Sequence, residues 1–89
     1  MKPKIGDKVY IIIDNSISEE QVGYLGADSF VVDLYNYVEH SCFDYNDYNK
    51  VWFRSLDKAK TELRKRFGRK ANIQQIGSFW WEVVEDEEN

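Results

Sequence analysis

Residues 51–68 read VWFRSLDKAKTELRKRFG, and this stretch decides the fold class. Its first residues, Val51, Trp52 and Phe53, are β-branched or aromatic and suit a short strand that starts at Lys50. The hydroxyl of Ser55 can accept a hydrogen bond from an otherwise unpaired N–H of a first helical turn. Leu56, Ala59, Leu63 and Phe67 then recur at spacings of three, four and four, which predicts one apolar stripe on an amphipathic helix. Asp57 suits the positive end of the helix dipole, and Arg64, Lys65 and Arg66 suit the negative end. Gly68 is placed to close the last turn in the left-handed conformation.

Upstream of this strand–helix unit the chain reads as strands. Lys8 to Ile13 is a β-branched and aromatic run that stops at Asp14-Asn15-Ser16, residues that favour turns. Further strands are expected at Ser18 to Leu25, Phe30 to Tyr35 and Tyr37 to Phe43. Residues 44–49, Asp-Tyr-Asn-Asp-Tyr-Asn, read as a loop. Downstream, Ser78 to Val84 is the expected final strand. The sum is an α+β domain over 1–84: a small curled antiparallel sheet of five to six strands, in the manner of an SH3-like barrel, with one amphipathic helix before the last strand. Residues 85–89 form an acidic tail.

Eighty-nine residues suffice for one core and no more. Aromatic residues make up 16% of the chain, and each large ring buries roughly 150–250 Å². Phe30, Phe53, Phe67 and one of Trp80 and Trp81 are expected in the core. In an alternating strand those two tryptophans face opposite sides, so the other should reach the surface.

Charge is segregated along the chain. Residues 1–57 carry five Lys/Arg against ten Asp/Glu, and residues 58–70 carry seven basic residues against Glu62 alone. Residues 71–89 carry five acids and no base. The basic helix reads as a solvated face, as a platform for phosphates or an acidic protein through Lys58, Lys60, Arg64, Lys65, Arg69 and Lys70, or as a surface neutralised by the chain's own tail. The acidic remainder opposes general DNA binding. Acids among scattered Tyr and Trp can also imitate phosphate charge and occupy another protein's nucleic-acid groove.

Reactive groups are sparse. His40 is the only histidine and Cys42 the only cysteine, which excludes a disulfide within the chain and His-rich or Cys-rich metal sites. Two residues apart on a strand, they would share a face, so a Cys–His pair is geometrically conceivable, although a buried thiol beside a surface His is commoner. Asp44, Asn46, Asp47 and Asn49 lack the Gly and terminal Glu of a calcium loop. The five glycines are dispersed, unlike a phosphate-binding loop. No catalysis, metal or cofactor is expected. There is no signal-peptide pattern and no membrane-length apolar run, so a cytoplasmic protein is expected.

Two stretches carry a family resemblance. Ile5-Gly6-Asp7-Lys8-Val9-Tyr10 is similar to the opening of many SH3-like barrels, and resembles the start of short proteins from phages and mobile elements of Gram-positive bacteria. Residues 43–63 resemble their second signature, an acidic-aromatic loop leading to a Lys-x-Val-Phe strand, then Ser or Thr, then a helix with Ala and Leu at matching spacing. Arg54 and the Trp80-Trp81 strand depart from that pattern. The resemblance implies an accessory protein in the cytoplasm of a bacterial host that binds and inhibits a host protein, such as a CRISPR effector or another defence nuclease. The surfaces expected to serve are Trp80 or Trp81, the Tyr45–Tyr48 loop, and the acids Asp44, Asp47, Glu85, Asp86, Glu87 and Glu88. The alternative is a nucleic-acid-binding module that uses the basic helix. Self-association through an exposed aromatic edge is a third expectation.

Overall fold

The computed structural model describes residues 2–33 and 42–84. Strands β1 (Lys8–Ile13), β2 (Ser16–Leu25), β3 (Ser29–Asp33), β4 (Cys42–Asp44) and β5 (Trp52–Phe53) lie in the order β4-β3-β2-β1-β5, every pair antiparallel. A single-turn 3-10 helix (Tyr45–Asp47) precedes β5, and helix α1 (Leu56–Phe67) follows it. The chain then forms a hairpin of β6 (Asn72–Gly77) and β7 (Trp80–Val84). The described chain is thus a mixed α+β unit with one helix and one curled antiparallel sheet of seven strands.

Two expectations are corrected. The sheet has seven strands where five to six were expected, and α1 precedes a hairpin instead of a single last strand. The added strand, β6, reads Asn-Ile-Gln-Gln-Ile-Gly and is exposed at all positions but Ile73. With little surface to bury, it has no need of the alternating apolar pattern that marks a strand in sequence. The expected strand at Tyr37 to Phe43 falls mostly outside the described residues; its end is seen in β4.

Strand β1 explains why its sequence is apolar without alternation. Val9 and Ile11 face one side, packed with Val22, Phe30, Val32, Tyr45 and Trp52. Ile12 faces the other, packed with Ile17, Phe53, Trp81 and the helix residues Ala59 and Leu63. A strand covered on both faces must be apolar at successive positions. The Asp14-Asn15 turn sends the chain back into β2 with Ile13 opposite Ser16, and Asp14 adopts a φ of 55°, a conformation Asp tolerates better than most residues.

Strand β2 is where the sheet forks. One of its edges pairs with β1 along Ser16–Gln21. Along the other, Ser16–Ser18 pairs with β7, and Gln21–Leu25 pairs with β3 across an irregularity at Gly23. The fork places the outer hairpin alongside the body of the sheet, and the molecule is elongated at 47 × 22 × 19 Å.

The helix forms as its spacing predicts. The Ser55 hydroxyl accepts from the Lys58 N–H at 3.2 Å, and the Gly68 N–H donates to the Arg64 carbonyl at 2.7 Å. Gly68 has φ 118° and ψ 144°, a positive-φ extended conformation and not the left-handed helical one expected. Phe67, expected in the core, is 50% exposed. Ala59 and Leu63, in the middle of the helix, take the sheet surface, and the last turn runs past it.

Candidate interaction surfaces

The eleven residues Ala71–Trp81 contain no charge, in a chain that is 31% charged. The structure puts this run on the outer hairpin. Strand β7 is the anchored half: Ile17 pairs with Trp81, the Glu19 N–H donates to the Phe79 carbonyl at 2.9 Å, and the Val83 N–H donates to the Asn15 carbonyl at 2.9 Å. Trp81 is buried, edge-on to Tyr10 with ring centroids 6.2 Å apart. Trp80 faces the other side, half-buried, and its indole N–H donates to a Glu82 carboxylate oxygen at 2.7 Å. The tryptophan pair therefore divides as alternation requires, with Trp80 toward the surface. Strand β6 is the free half. Among the described residues it pairs with β7 alone, in a register that slips at Ile76. Ile76 is 55% exposed and Phe79 is 38% exposed. Neither Ile76 nor Phe79 was among the residues picked out in the sequence; the uncharged run was the available signal.

The loop around Tyr45 is built inward. Tyr45 is buried, stacked on Phe30 at 6.0 Å, and its hydroxyl donates to the Gly26 carbonyl at 2.8 Å. Tyr48 is half-buried against Trp52, with centroids 4.8 Å apart. The Trp52 indole N–H donates to the Asp44 carbonyl at 2.9 Å. The Asp44 carboxylate caps the 3-10 turn by accepting from the Asn46 N–H at 2.8 Å, and the Asp47 carbonyl accepts from the Lys50 and Val51 N–H groups. Tyr45 thus presents no free ring, and Asp44 is the exposed acid of this loop. Glu85, Asp86, Glu87 and Glu88 lie outside the described residues, as do Tyr35, Tyr37 and His40.

On the helix, Lys58 and Lys65 are exposed and Lys60 and Arg64 half-buried, while Arg69 and Lys70, expected on the helix, are exposed in the turn beyond its end at Phe67. Among the described residues, none of these six forms an ion pair. Arg66, by contrast, pairs with Glu62 at 3.1 Å and donates to the Lys50 carbonyl at 2.6 Å, tying the helix to the central loop. A groove of about 320 Å³ runs between the helix and this loop, lined by Asn49, Phe53, Lys58, Thr61, Glu62 and Lys65.

Cys42, where a buried thiol was the commoner expectation, is exposed, with its sulfur 3.4 Å from the Ser29 hydroxyl oxygen. No cluster of three His, Cys, Asp or Glu side chains that could hold a metal occurs among the described residues. Asp7 accepts from the Lys4 N–H at 2.9 Å and from the Arg54 guanidinium at 3.1 Å, and these bonds, the backbone one first, hold its carboxyl below the usual range. Burial, and then the Glu19 carboxylate, push the Tyr10 hydroxyl upward. No helix among the described residues is long and apolar enough to cross a membrane.

No family model, curated protein or solved structure matches this chain.

Proposed function

We propose that this chain is a non-catalytic binding protein whose contact surface is the outer hairpin, centred on Ile76, Phe79 and Trp80, and whose target is another protein. The observation that carries the reading is the concentration of an uncharged, aromatic-rich run on the most exposed pair of strands. Protein interfaces are depleted of charge at their centre and enriched in aromatic residues, whereas ordinary solvated surface is charged. The target class follows from the sequence resemblance to short phage-type proteins with an SH3-like start: a host defence nuclease, such as a CRISPR effector, held by stoichiometric cover of its working surface. Asp44 adds an exposed acid for the basic groove such an enzyme presents.

The test uses the tagged protein and a panel of purified CRISPR effectors. Retention of an effector, with its DNA cleavage suppressed at equimolar ratio, is expected, together with loss of both in Phe79→Asp. Retention of none, with cleavage undisturbed, contradicts the reading.

One observation favours nucleic acid as a second reading: the six cations from Lys58 to Lys70 that have no ion-pair partner among the described residues. Binding through them would weaken steeply with salt and disappear in an Arg64→Glu, Lys65→Glu variant. Absence of a mobility shift on DNA or RNA at low salt removes this reading.

A further inference from the structure

Sheet edges expose rows of unpaired backbone N–H and C=O groups, and proteins protect them by keeping them short or charged. The two ends of the main strand order follow this rule. Strand β4 has three residues and ends on Asp44, and β5 has two and runs into Arg54. Strand β6 breaks it, with six uncharged residues, five of them exposed, and no proline. Its one protective feature is the irregularity at Ile76, which leaves Asn72–Gln75 as regular strand.

We infer that the outer edge of β6 pairs antiparallel with the same edge of a second copy of this chain, about a two-fold axis at Gln74. The strand is complementary to itself. In that register Gln74 meets Gln74, Ile73 meets Gln75, and no charge opposes a like charge. Arg69 and Lys70, which precede the strand, lie beside the uncharged turn at Gly77–Phe79 of the other copy instead of beside each other. The pairing uses backbone groups of β6 and leaves Trp80, on the anchored strand, to other contacts. It does not depend on the identity of any target. So short a seam falls below the roughly 1,200 Å² at which stable complexes begin. The dimer is therefore weak.

Sedimentation velocity on the full chain, from low micromolar to millimolar concentration, tests this. The expected result is a concentration-dependent monomer–dimer equilibrium. Gln74→Lys and Gln74→Glu, each at an exposed position, should raise the dimerisation concentration at least tenfold by setting like charges across the axis. An equimolar mixture of the two should dimerise at least as well as the unaltered chain. The amides of Ile73 and Gln75, which point away from β7, should gain protection from hydrogen exchange as concentration rises. A monomer throughout overturns the inference, as does a dimer indifferent to both substitutions. So does an edge that accepts an added peptide strand but never its own copy, which would assign it to a different protein.

Discussion

The body of the sheet and the outer hairpin are built from the same kind of strand, yet they spend their side chains differently. In β1, successive residues are buried on both faces, and the two clusters meet across that one strand. In β6, side chains face solvent at every position but Ile73, which packs against the second cluster, and Ile76 is exposed. Burial is what the first region contributes to folding. The second contributes exposed, uncharged surface, which a folding argument alone does not require.

The contrast predicts a gradient of mutational effects, steepest in the body. Trp52→Ala removes a fully buried ring together with its bond to the Asp44 carbonyl, and Leu63→Ala opens a cavity beneath the helix. Losses of about 3–5 kcal/mol for Trp52→Ala and about 2–5 kcal/mol for Leu63→Ala are expected in urea unfolding. A loss below about 1 kcal/mol at either site would mean the two-sided core is not what holds the body together. At the junction of strand and helix the effect should be smaller. Ser55→Ala leaves the Lys58 N–H without its cap, and a loss of about 1 kcal/mol is expected.

Acid should sharpen the comparison by a further, smaller step. The Asp7 carboxyl is held below its ordinary value by the Lys4 N–H and by Arg54, which ties the first turn to the start of the helix. A lowered value means that this contribution is fully present above the ordinary aspartate value, about 3.9, and is lost as pH falls through the lower folded value. Unfolding midpoints measured from pH 6 to pH 2 should therefore decline less steeply in Asp7→Asn than in the unaltered chain. Parallel declines would remove Asp7 from the acid response.

How far the sequence carried the reading follows the same division. Helix α1 was legible to its ends because its cap and its stripe are local features, although Gly68 closes it in an extended positive-φ conformation and not the left-handed helical one. Strand β1 was legible from its run of branched residues. The hairpin was half legible: alternation separates Trp80 from Trp81, but only the pairing of Ile17 with Trp81 decides which one is buried. Strand β6 was missed because a strand exposed along its length leaves no apolar period to detect. Tyr45 looked like a surface ring because its burial depends on β3 and β4 coming together from distant parts of the chain. Phe67 continued a correct helical stripe beyond the point where the sheet ends.

The central claim is that the exposed apolar surface around Ile76 and Phe79 contributes far less to folding than the two-sided core. Urea unfolding of an Ile76→Ser, Phe79→Ser double variant tests it most directly, measured at low micromolar concentration alongside Trp52→Ala. The account predicts a stability within about 0.5 kcal/mol per site of the unaltered chain. A loss of 2 kcal/mol or more, on the order of a core substitution, would contradict it.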